Sequence, residues 1–172
     1  MVLKISEDLK NNKRISRAKA VTAVMKIVGV KSETEVKNTG DGFSDILPSD
    51  ENYKYISAAK DVIALGEGET RRFNPDREIT LREFLTVVLR AMKGKDNVSY
   101  DNIENDCIDA KLAQKYEFND YMLESPLEKA EFGTVISRLL AAKRYLYCEN
   151  GEIKTDNDGK ILYREWVLKN NK

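Results

Sequence analysis

Asp156, Asp158, Gly159 and Glu165 fall at positions three, five, six and twelve of an EF-hand calcium loop, a pattern that gathers oxygen ligands round a hard cation. Position one would be Lys154, whose ammonium cannot coordinate a cation, and no helix pair flanks the segment. The stretch is therefore read as a turn, with no metal. There is no histidine, which removes the commonest general base and the commonest metal ligand together. The two cysteines, Cys107 and Cys148, are far apart and lack metal-site spacing. One bridge or two buried thiols both fit, so cysteine usage does not fix the compartment. Carboxylates such as Asp45 and Asp61 are available for acid–base work, but nothing singles out a pair. No glycine-rich phosphate loop follows a strand. The residues thus point away from catalysis, and neither catalytic residue nor cofactor is expected.

What does recur is a pattern able to position side chains. Three segments read Ile15-Ser-Arg-Ala-Lys-Ala-Val-Thr22, Ile79-Thr-Leu-Arg-Glu-Phe-Leu-Thr86 and Leu127-Glu-Lys-Ala-Glu-Phe-Gly-Thr134. Each opens on an aliphatic residue and reaches threonine at its eighth position. A small or β-branched apolar pair follows, then a base: Lys26, Arg90 and Arg138. A self-similar unit of this kind is the signature of a repeat architecture.

All three segments have helical periodicity. In the first, Ser16 is the expected N-cap, Val21, Val24, Met25 and Val28 form the stripe, and Gly29 the stop. In the second, Thr80 and Glu83 make a capping box, with Leu81, Phe84, Leu85, Val88, Leu89 and Met92 inward, and Gly94 ends the helix. The third is expected to start near Pro126 and run to about Tyr147, burying Phe132, Val135, Ile136, Leu139 and Leu140. Between them the pattern predicts a helix from Asn52 to Leu65 and another from Asp106 to Tyr116. The tail from Gly151 to Tyr163 reads as a hairpin about Asn157-Asp158-Gly159. The units divide as 1–30 (partial), 31–95 and 96–147, with the tail at 148–172. The expected class is all-α: helix–loop–long-helix units with a short C-terminal β-hairpin.

A chain of 172 residues is expected to make one domain. Hydrophobic content of 41% can fill a core, and charged content of 34% suits a solvated surface. The 29 basic and 29 acidic residues are interleaved without long like-charge blocks, so no nucleic-acid partner is expected. No apolar run approaches the ~20 residues of a membrane span. The opening Met1-Val-Leu-Lys-Ile-Ser-Glu-Asp8 has no signal-peptide apolar region.

The middle unit resembles an S-layer homology repeat. The residues that carry the likeness are Phe43-Ser-Asp45, Gly66 and Gly68, Phe73-Asn-Pro75 and Ile79-Thr80, in that order. The likeness extends from Ile15 to Leu146. It implies a compact pseudo-threefold module, with long helices about one axis and grooves between neighbouring units. It also implies a non-catalytic anchor at the bacterial cell surface or wall, extracellular, binding an anionic secondary cell-wall polysaccharide or peptidoglycan-linked glycan non-covalently. Other surface-layer protein is the second implied partner. The family's ligand arginine, at the third motif position, corresponds to Arg17, Leu81 and Lys129 here, with Arg82 one residue late and rotated by ~100°. A guanidinium at a helix start, beside backbone N–H groups and the positive end of the macrodipole, suits a carboxylate-bearing sugar. Arg17, Lys129 and Arg82 are thus the candidate ligand bases. Asp45 is a candidate groove residue or a local cap, and Tyr53, Tyr55 and Trp166 are candidate sugar-stacking rings or core aromatics. The loss of the motif arginine from two units leaves a second expectation open. It is a degenerate structural module for protein–protein contact or surface-layer assembly, without glycan binding.

Overall fold

The structure, a computed structural model, describes residues 14–30, 43–59, 71–94, 97–142, 148–149, 152–154 and 157. Six helices occur among the described residues: α1 (Arg17–Val28), α2 (Tyr53–Ala58), α3 (Leu81–Lys93), α4 (Ile103–Asp109), α5 (Asp120–Glu124) and α6 (Lys129–Ala142). None of them is long and apolar enough to cross a membrane.

Local chemistry sets the ends of the long helices. Ser16 is extended and its hydroxyl accepts from the Lys19 N–H. At the other end Gly29 has φ 109°, a left-handed turn that lets the Gly29 and Val30 N–H groups return to the Lys26 and Met25 carbonyls. Thr80 and Glu83 complete the expected capping box: the Glu83 N–H donates to Thr80 Oγ1 at 3.2 Å, and the Thr80 N–H to Glu83 Oε2 at 3.0 Å.

The starts of α1, α3 and α6 are tied to one another. Ile15 N–H donates to the Leu127 carbonyl at 3.2 Å, Leu127 N–H to Ile79 at 2.8 Å, and Ile79 N–H to Ile15 at 3.2 Å. The three bonds close a ring. All three residues are buried, so each bond satisfies a backbone pair that would otherwise be costly to bury. Antiparallel bridges flank the ring at Arg14–Glu128, Ser16–Glu78 and Thr80–Pro126.

The core lies between α1, α3 and α6. Phe84 and Phe132 meet with centroids 5.3 Å apart, and Phe43 and Phe73 at 5.1 Å. All the expected inward residues of α1 and α3 are buried, and so are Ala20, Ala23 and Ile27 of α1 and Thr86, Val87 and Ala91 of α3. The short helices cover the outer faces of the long ones: α2 packs on α1, and both α4 and α5 on α3.

Several boundaries differ from expectation. The third long helix starts at Lys129, because Leu127 must stay extended to join the ring and Pro126 pairs with Thr80. Leu140 is 46% exposed instead of core. The second short helix runs Ile103–Asp109, not Asp106–Tyr116. It closes early because the Leu112 and Ala113 N–H groups both return to the Cys107 carbonyl, with Lys111 at φ 60°, which buries Leu112 completely. Helix α5 was not expected; Asn119 caps it through the Met122 N–H. Cys107 is a free, buried thiol, so the bridge to Cys148 is not formed. Cys148–Glu149 (β1) pairs antiparallel with Glu152–Ile153 (β2). The expected turn at Asn157-Asp158-Gly159, the Asp156–Glu165 pattern, Asp61, Gly66, Gly68, Trp166 and the stretch toward Tyr147 lie wholly or largely outside the described residues.

Candidate functional site

The segment ahead of α3 is built round Asp45. Its carboxylate accepts from the Phe73 and Asn74 N–H groups, both at 2.7 Å. Burial raises its pKa, but these two bonds, with the nearby Arg72 charge, hold it below the usual carboxylate range. Asn74 takes φ 56°, a left-handed conformation asparagine tolerates. The clamp presents the buried Phe73 ring under the Arg17 guanidinium, 5.1 Å from its centroid. Asp45 therefore clamps a loop 28 and 29 residues away, not the neighbouring helix start as a local cap would, and both its oxygens are engaged by backbone.

Arg17 opens α1, and its Nη1 lies 3.3 Å from Glu83 Oε1. Arg77 reaches the same oxygen at 2.7 Å. The Arg17 side chain is only 15% exposed. Burial pulls its guanidinium below its ordinary pKa and the Arg77 charge adds to this, while Glu83 opposes it. Burial raises the Glu83 carboxyl, but the Arg77 bond, the Thr80 N–H and the two guanidinium charges hold it low. Glu83 thus serves the helix cap and two arginines at once.

Arg82, one residue before, turns the other way. Its Nε donates to Glu124 of α5 and its Nη1 to the Tyr100 carbonyl at 3.3 Å. Its guanidinium carbon stands 5.6 Å from the Tyr100 ring centroid. Tyr100 is 44% exposed. Burial raises its phenol, the Glu124 and Glu83 charges add to this, and Arg82 and Arg77 oppose it. The result is a half-exposed cluster of charges at the starts of α1 and α3. Three arginines (Arg17, Arg77, Arg82) meet two carboxylates there, beside an open phenol ring.

The structure thus brings Arg17 and Arg82 to one region and places Asp45 beneath it. The helix start does not supply free donors, contrary to expectation: the Arg17 N–H is taken by the Arg77 carbonyl at 2.8 Å and the Ala18 N–H by Pro75 at 3.0 Å. The Leu81 N–H likewise goes to Ser125. Docking one unit against the next consumes these groups. Lys129 opens α6, half-buried. Tyr53 is packed on the core from α2. Tyr55 is 6% exposed, with Lys26 and Lys54 ammonium groups 5.0 and 5.5 Å from its ring centroid, so its faces are covered.

Sequence reasoning missed Arg77, Tyr100 and Glu124 as members of this cluster. Arg77 precedes the repeat pattern by two residues, and Tyr100 comes from a loop 18 residues after Arg82. Only Glu83 had a signal, and that signal was for capping. No family model, curated protein or solved structure matches this chain.

Proposed function

We propose that this chain is a divergent S-layer homology module, three units about a pseudo-threefold axis, that anchors to the bacterial cell surface by binding an anionic wall polysaccharide. The observation that carries the reading is the closed ring among Ile15, Ile79 and Leu127. These are the first residues of the three matched segments, and a cyclic exchange of identical bonds is what a threefold arrangement of equivalent units would produce. The ordered motif set from Phe43 to Thr80 supports it from the sequence side. On this reading the units are 1–30, 31–95 and 96–147, followed by a hairpin tail.

The ligand would meet Arg77, Arg82 and the Tyr100 ring. Guanidinium forks suit a sugar carboxylate, and a tyrosine face suits the apolar face of a sugar ring. Arg17 lies deeper, its charge shared with Glu83. Lys129 would serve the equivalent place at α6. The function is recognition and anchoring, without catalysis or cofactor.

The test is retention on purified sacculi carrying their secondary polymer against sacculi stripped of it. Preferential retention on the first, weakened by Arg82→Ala or Arg77→Ala, is expected. Equal retention on both refutes glycan binding. One observation favours a second reading, a structural module for protein–protein contact: Arg17 is paired, stacked and largely covered, and its helix N–H groups are spent. Self-association in sedimentation runs without glycan, together with equal retention, would select that reading.

A further inference from the structure

We propose that the cleft between the C-terminal ends of α3 and α6 and the end of α4 binds a small carboxylate with an apolar body, its carboxylate on Arg138 and Lys111. The cleft encloses about 810 Å³, within the range of small-molecule sites. Met92, Ala110, Ala141 and Ala142 supply its apolar lining. Met92 lies near the end of α3, about 15 Å along the helix from Arg82. The cleft is therefore separate from the arginine cluster at the helix starts, and its use does not depend on glycan binding there.

Hydrogen bonds hold both walls in place. On one side Lys111 takes φ 60°, which reverses the chain so that the Leu112 and Ala113 N–H groups return to the Cys107 carbonyl. Arg138 Nη1 donates to the Leu112 carbonyl at 2.8 Å and to Glu117 Oε2 at 2.7 Å, and that oxygen also accepts from the Gln114 N–H. On the other side Asn97 Nδ2 donates to the Lys93 carbonyl at 2.9 Å, and Lys93 Nζ to Asp106 at 3.1 Å. A cleft held in this way needs little ordering when a ligand enters. Both Arg138 bonds use Nη1, so Nε and Nη2 have no hydrogen-bond partner among the described residues. That pair of nitrogens is a fork able to grip a carboxylate bidentately. The charged lining is Lys93, Lys111 and Arg138 against Asp109. Lys93 and Arg138 keep carboxylates of their own, in Asp106 and Glu117. Asp109 is exposed, where water screens it. The exposed Lys111 ammonium, in no ion pair among the described residues, is left to offset one negative charge on the ligand. A neutral apolar guest would leave the Arg138 fork unused.

The experiment titrates the full chain with 1-anilinonaphthalene-8-sulfonate, a fluorescent apolar body with one anionic head, and displaces it with octanoate or with octanol. Saturable uptake of the dye by the folded chain is expected, with octanoate displacing it at a concentration at least about tenfold below that needed of octanol. Ala141→Trp fills the cleft from an exposed helix position and should abolish uptake. Lys111→Glu should weaken octanoate at least about fivefold, whereas Lys19→Glu, the same charge change at an exposed position of α1, should leave it within about twofold. Lys111→Gly should weaken octanoate too, and glycine accepts φ 60° without strain, so its loss of binding is a lost contact and not a lost fold. The unfolding transition of each variant is followed alongside, which separates binding from dye taken up by unfolded chain. The proposal is overturned by no saturable uptake, by uptake that survives Ala141→Trp, by equal displacement with octanol, or by octanoate binding unchanged in both Lys111 variants.

Discussion

Glu83→Gln is expected to weaken the fold and strengthen anion binding at once. Glutamine keeps an oxygen able to accept from the Thr80 N–H, so the capping box survives. The negative charge between Arg17 and Arg77 does not. Arg77 is 43% exposed and can turn to water, but Arg17 at 15% cannot. Hydrogen bonds to charged groups contribute about 1.5–3 kcal/mol, and a largely covered guanidinium left without its counter-charge belongs at the upper end, about 2–3 kcal/mol. For a chain of this size that lowers Tm by about 4–12 °C. Glu83→Ala removes the cap as well and should cost about 1 kcal/mol more. Arg77→Ala should cost less than about 1 kcal/mol, as an exposed partner does. The assay is calorimetry or urea unfolding of the three variants, paired with retention on polymer-bearing sacculi. Retention of Glu83→Gln should rise, because two arginines lose their internal partner. The reasoning is refuted if Glu83→Gln unfolds within about 0.5 kcal/mol of the parent, or if Arg77→Ala costs as much as Glu83→Gln.

Phe84→Ala should be the most damaging of these substitutions, at about 3–5 kcal/mol, because the ring is fully buried against Phe132 and its loss leaves a cavity; denaturant unfolding measures it, and a loss under about 1 kcal/mol would place the core elsewhere. Gly29→Ala should cost about 1–2 kcal/mol, since φ 109° is strained for any side chain, whereas an unchanged midpoint would mean α1 can end another way. Acid should unfold the protein. Asp45, Glu83 and Glu117 have folded pKa values below their unfolded ones, so their contribution is full at neutral pH and is lost as pH falls from the ordinary carboxylate range through the folded values. Unfolding midpoints should hold from pH 7 to about pH 5 and fall from there to about pH 3, and a flat profile below about pH 5 contradicts the assigned bonds.

The long helices were legible because their information is local. The Thr80–Glu83 box, Gly29 and the apolar stripes of α1 and α3 act within one or two turns, and all three appear where expected. The short helices were less so. Helix α4 closes at Asp109 as Leu112 turns back to the Cys107 carbonyl and is buried, and α6 begins late because Leu127 is held by Ile79 and Ile15, a cause far away in sequence. Leu140 shows the same limit from the other side, an apolar residue at core spacing with no described element over it.

For the site, the family resemblance marked Arg17 and Arg82, and the cap signals placed them at helix starts. Neither showed that the donors of α1 are consumed by Arg77 and Pro75, or that Glu83 caps a helix and neutralises two arginines together. Local sequence set which segments become the long helices, how α1 and α3 are capped, and which faces those two bury, since propensity, capping and periodicity act over a few residues. Tertiary structure alone decided which charges remain available. That depends on partners distant in sequence, such as Glu83, 66 residues from Arg17, and Glu124, 42 from Arg82, and no local pattern encodes such distances.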